Sequence, residues 1–232
     1  MLLQSIQKMF ATMSWIQNLI VFIGVLNTAS SCYSGSPNTN LKVDDTTYVC
    51  VTIGATNSIT GQMMNYSRFV FDPKMDEFSK FNLQNSWTST YSSDDMFNKL
   101  MAPESPTASS QLWMHIESEG QFSYQKIFRS SLETWPHSGA VISVNNGKVD
   151  GITWDYGCFD CDNDKCRRNT YKYNGDAVPD KDSGKDCYVD DIDCSSSKCS
   201  LELYVTWSGT DADGNYLLSQ QKRLSNFDAT IV

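Results

Sequence analysis

The stretch Cys158-Phe159-Asp160-Cys161-Asp162-Asn163-Asp164-Lys165-Cys166 sets three cysteines and three alternating aspartates in nine positions. Three chemistries use such residues. Cysteines at Cys-x-x-Cys spacing hold zinc as thiolates or run thiol–disulfide exchange. Aspartates at alternate positions supply the hard oxygen ligands that calcium takes. In an oxidising compartment the same cysteines are disulfide staples.

The compartment discriminates between them. Residues 15–26 are apolar apart from Gln17 and Asn18 and are followed by the small residues Thr28, Ala29, Ser30 and Ser31, the outline of a secretory signal peptide. About 12 apolar residues fall short of the ~20 that a bilayer span requires. The expectation is a signal peptide over 1–31 and a secreted or cell-surface chain over 32–232 with no integral membrane span. All eight cysteines, Cys32, Cys50, Cys158, Cys161, Cys166, Cys187, Cys194 and Cys199, lie beyond the signal. An even count in a secreted chain predicts four disulfides. Cys32 pairs naturally with Cys50. The other six allow 15 connectivities, and Cys158, Cys161 and Cys166 are expected to bond to Cys187, Cys194 and Cys199, because a bridge across a Cys-x-x-Cys gap is usually labile. Zinc and redox chemistry are disfavoured by the even count, by the acidic Asp160 between the sulfurs and by the lack of a βαβ pattern.

Calcium is the better functional candidate. Asp160, Asp162 and Asp164 occupy positions 1, 3 and 5 of an EF-hand-like loop, but Lys165 stands at position 6 and Tyr171 at position 12, where Gly and a bidentate Glu are required. Asp211, Asp213 and Asn215 fail in the same way, with Tyr216 and Lys222, and a hairpin turn accounts for them. The segment NGDAVPDKDSGKDC, residues 174–187, resembles one unit of the thrombospondin type 3 repeats, with Ala177 where that pattern has Gly. The resemblance implies calcium as an optional cofactor. The candidate ligands are Asp160, Asp162, Asp164, Asp180, Asp182 and Asp186.

Catalytic motifs are absent from the sequence: there are two histidines, no Gly-x-Ser-x-Gly, no His-Glu-x-x-His and no phosphate-cradling loop. A net charge of −9, with no basic run longer than Arg167-Arg168, excludes nucleic acid and anionic membrane surfaces as partners. Trp113 and His115 fall on the polar face of an alternating strand, where an aromatic ring could stack on a sugar. Asn65-Tyr66-Ser67 is a glycosylation acceptor. The expected function is a disulfide-stabilised binding or structural module, calcium- or carbohydrate-binding, with an extracellular protein or carbohydrate as partner. A secreted hydrolase without a recognised site, or a secreted effector or inhibitor, is the alternative.

The elements that must position these residues are mostly strands. Segments 47–54 and 66–72 are β-branched or alternating, and 111–118 with 121–128 form a hairpin across Glu119-Gly120. Asn146-Gly147 and Asp213-Gly214 mark two further hairpins, since these pairs tolerate the positive φ of a tight turn. Short helices are expected over 72–81 and 92–101. The fold predicted is all-β, an antiparallel sandwich or jelly-roll-like domain, with one or two short helices and a cysteine-rich insert over 157–199.

Overall fold

The structure, a computed structural model, describes residue 32 and residues 35–57, 63–83, 110–130, 132–159, 161–171, 184–190, 193 and 201–227. The strands are β1 (Val49–Asn57), β2 (Met63–Phe71), β3 (Ser79–Asn82), β4 (Ser110–Ser118), β5 (Gln121–Phe122), β6 (Gln125–Arg129) and β7 (Glu133–Thr134). They continue with β8 (His137–Asn145), β9 (Lys148–Trp154), β10 (Cys166–Arg168), β11 (Thr170–Tyr171), β12 (Lys185–Cys187), β13 (Val189–Asp190) and β14 (Glu202–Gly209). The first sheet runs β13-β7-β6-β4-β1-β2, with β11 added to β6 and β5 to β4; the second runs β3-β14-β8-β9.

Period-2 alternation builds the core between them. Val49, Val51, Ile53 and Ala55 of β1 and Leu112, Met114 and Ile116 of β4 meet Ala140, Ile142 and Val144 of β8 and Leu203, Val205 and Trp207 of β14. The hairpin across Asn146-Gly147 forms between β8 and β9, with φ of 48° and 79° at the two turn residues, and β4 and β5 close across Glu119-Gly120.

Two expectations about the elements are corrected. No α-helix forms over 72–81: Asp76 has φ 67°, and Ser79–Asn82 becomes strand β3 against β14. The second expected helix, 92–101, lies outside the described residues, and the helical turns that are described are 3-10 turns at Asn163–Lys165, Ser219–Lys222 and Leu224–Phe227. The turn at Asp213-Gly214 does not launch a return strand beyond the bridge Thr210↔Tyr216. Both edges of β14 are already taken, by β3 and, in parallel, by β8. The tail instead buries Leu217, and Ser219 Oγ accepts a hydrogen bond from Trp207 N at 2.8 Å.

The cysteine-rich insert contributes strands to the first sheet. Its β11 pairs β6 and its β13 pairs β7, while β10 and β12 form a ribbon of their own. The disulfides differ from expectation as well. Cys32–Cys50 and Cys161–Cys187 are bonded, but Cys158 pairs with Cys166 inside the first cysteine cluster. The 3-10 turn at Asn163–Lys165 folds the chain back so that these two Cα atoms lie 5.6 Å apart, within bridging range. Cys194 and Cys199 lie outside the described residues.

Candidate functional site

Where the insert meets the sheet edge, a cleft of about 670 Å³ opens, within the size range of small-ligand sites. Pro136 and His137 at the start of β8 line it together with Phe159, Lys165, Tyr188, Asp190 and Asp193, with the Cys161–Cys187 disulfide beside them. Lys165 Nζ donates to Asp190 Oδ2, and this bond raises the lysine pKa. Tyr188 is locked from all sides. Its N–H donates to Lys165 O at 2.9 Å and its hydroxyl to Asp164 O at 3.3 Å; the Arg167 guanidinium sits 4.6 Å from its ring centroid and the Trp135 ring 6.2 Å away. Beside the rim, His137 Nδ1 lies 3.3 Å from Glu202 Oε2. Burial pushes the Glu202 carboxyl up, but hydrogen bonds from Lys80 and Tyr204 hold it below its ordinary value.

A buried ion pair fixes the insert that carries this wall. Lys126 of β6 and Asp186 of β12 are both shielded from solvent, with Nζ 2.5 Å from Oδ2 and 5.0 Å from the Trp154 ring centroid. Asn169 Nδ2 donates to the same oxygen at 2.9 Å and to Ile127 O at 3.0 Å. Asp186 is followed directly by Cys187, so the pair and the disulfide anchor adjacent residues. Gly157 crosses this anchor so closely that a Cβ would lie 2.2 Å from Asp186 Oδ1. Gly157→Ala is therefore expected to push the carboxylate off Lys126 and to lower stability by about 2 kcal/mol, measured as a lower urea midpoint at unchanged slope.

The residues singled out from the sequence go elsewhere. Trp113 and His115 are not on an open face: the outer side of β4 is buried too. Gly54, opposite Trp113, leaves a slot that the indole fills, a Cβ there falling 2.3 Å from Trp113 Cζ2, and Trp113 Nε1 donates to Thr56 Oγ1 at 2.7 Å. His115 stacks on that indole, centroids 5.8 Å apart. Neither ring is free to stack on a sugar.

Burial, with the Arg68 charge adding to it, pushes the His115 pKa down to about 4. In the unfolded chain histidine titrates near 6.5. The stability gained by keeping it neutral is complete above pH ~6.5 and falls away between there and pH ~4, by about 3 kcal/mol. An NMR titration of the His115 ring should give a midpoint near 4, and His115→Gln should flatten this part of the acid profile; a midpoint near 6.5 contradicts the burial.

Of the aspartates, Asp162 and Asp164 are exposed at the 3-10 turn and Asp186 is committed to Lys126. Asp160, Asp180 and Asp182 lie outside the described residues. Asp211 spends its carboxylate on backbone N–H groups of Val43, Asp213 and Asn215 and is depressed in pKa chiefly by its bonds to Asn215. It is a turn cap, as its spacing with Gly214 suggested. Backbone β structure is present at Asn65.

Lys126 carries a signal in the sequence that the expectations above do not include. It shares parity with Phe128 and pairs in register with Met114, so alternation puts a lysine at a core position, where a charge must find a partner. Lys165, Tyr188 and Asp190 have no such signal, since they are brought together by long-range pairing and the disulfide pattern.

A family model described as "Uncharacterised protein DDB_G0273449" matches residues 137–229, less than half of the chain. That stretch runs from His137 at the rim through the insert and β14 to the 3-10 turns. No curated protein and no solved structure matches. Among the described residues, three disulfides fit an oxidising environment, and no helix is long and apolar enough to cross a membrane.

Proposed function

We propose that residues 32–232 form an extracellular binding module that takes a neutral saccharide in the cleft beside the Cys161–Cys187 disulfide, after secretion directed by residues 1–31. The observation that carries this reading is the lining: the half-buried Phe159 ring stands beside Lys165, Asp190, Asp193 and His137, over a wall that the buried Tyr188 holds in place. A flat apolar ring matches the C–H face of a sugar, and the surrounding donors and acceptors match its hydroxyls. The wall is held by a disulfide and a buried ion pair, so little ordering is needed on binding. Net charge of −9 favours neutral over anionic glycans. Asp190 is paired to Lys165, which suits a recognition surface better than a general acid or base.

The test is an array of neutral and acidic oligosaccharides probed with residues 32–232, secreted and disulfide-bonded. Wild-type protein is expected to select neutral glycans. Phe159→Ala, which removes a half-buried ring from the rim, should weaken the selected glycan about tenfold, or 1.4 kcal/mol. Binding that is unchanged in Phe159→Ala, or confined to acidic glycans, contradicts the assignment.

A further inference from the structure

Away from the cleft, the backbone N–H of Cys32 donates to Glu117 Oε2 at 2.9 Å. Glu117 is buried at the end of β4, and its other oxygen accepts from the Tyr48 hydroxyl at 3.4 Å. Burial pushes the Tyr48 pKa up to about 12, with the Glu117 charge contributing. The position of Cys32 is fixed by its disulfide to Cys50, whose register partner is Glu117, and the stretch after it is held by Glu119, which accepts from Asn38 N at 2.6 Å and Thr47 Oγ1 at 2.7 Å. Two carboxylates thus dock the beginning of the folded unit onto the β4–β5 turn. Cys32 also directly follows Ala29-Ser30-Ser31, small residues at the positions −3 and −1 from its amide, the pattern that leader peptidases cut.

We infer that the Ser31–Cys32 bond is the processing site and that Glu117 is the built receptor for the α-ammonium group this cleavage creates. The inference rests on the secretory reading above. Hydrolysis consumes one water, which ends Ser31 as a carboxylic acid and Cys32 as an amine; the acid's proton passes to the amine. A neutral amide donor on a buried carboxylate is thereby replaced, at the same atom, by a charged one, and charge-assisted bonds are about twice as strong. The Cys32 sulfur is in the disulfide, so it is not the thioether of a lipid anchor. Among the described residues, Glu117 and Tyr48 are ionisable groups hydrogen-bonded at this terminus, with Glu119 holding the following stretch.

The experiment is mass spectrometry of the protein secreted from a eukaryotic host, followed by reductive dimethylation of its amines. The expected product starts at Cys32. Its α-amine should react about tenfold or more slowly than that of an unfolded N-terminal peptide, each unit of raised amine pKa being worth a factor of ten. Two variants should restore ordinary reactivity: Glu117→Gln, and a chain that retains Ser31, which leaves residue 117 intact and moves the ammonium off it. The retained-Ser31 chain should also melt about 3–8 °C lower. A secreted product starting elsewhere, or one starting at Cys32 whose amine reacts as fast as in Glu117→Gln, overturns the inference alone. Full-length protein retained in the cytosol overturns the secretory reading beneath it.

Discussion

Lys126→Met is expected to lower the unfolding free energy by about 3–5 kcal/mol, the cost of leaving one partner of a buried ion pair without the other. Asp186 is 1% exposed, so its carboxylate cannot reach water. Asn169 Nδ2, already shared with Ile127 O, would remain as a donor to it. The side chains of Lys126 and Trp154 are also in contact range, so methionine at this position keeps most of the apolar packing and isolates the charge. The double variant Lys126→Met, Asp186→Leu should recover most of the loss, because an apolar pair of similar volume pays neither desolvation cost. Urea unfolding of the three proteins reads this directly. A single variant within about 1 kcal/mol of wild type would show that the pair does not hold the insert.

Cys161→Ser with Cys187→Ser should cost about 3.5 kcal/mol, the loop-closure entropy of a bridge spanning 26 residues. Removing Cys158–Cys166, which spans 8, should cost only about 2.5 kcal/mol on the same relation. The two variants should separate further in function. Cys161–Cys187 lines the cleft and anchors β12 next to Asp186, so its loss frees the wall that carries Tyr188 and Asp190 and should abolish glycan binding. Cys158–Cys166 braces the turn that presents Lys165, so its loss should weaken binding without abolishing it. Equal stability of the two variants, or wild-type binding without Cys161–Cys187, runs against this assignment of roles.

Much of the architecture was legible because alternation and turn chemistry are local. The β1, β4 and β14 faces follow from every second residue being apolar, and Asn146-Gly147 from its tolerance of positive φ. What was not legible depends on long-range pairing. Ser79–Asn82 carries weak helical signals, yet the open edge of β14 recruits it as a strand. Asp213-Gly214 promises a hairpin, but β14 has no edge left to pair. Trp113 alternates with core residues and so reads as exposed; only the position of Gly54 on the neighbouring strand provides the slot that buries it. The cleft is the extreme case. Its residues come from β8, the 3-10 turn at Asn163–Lys165 and β13, which meet through long-range strand pairing and a buried ion pair together with a disulfide connectivity that has 15 solutions for six cysteines.

The most direct test of the central claim is chemical-shift mapping of isotopically labelled residues 32–232 against neutral gluco-, manno-, galacto- and chito-oligosaccharides. At least one of them should move a contiguous set of resonances at His137, Phe159, Lys165, Tyr188, Asp190 and Asp193 and leave those of Trp113 and His115 in place. Shifts centred on β4 and β1, or none with any of these sugars, would contradict it.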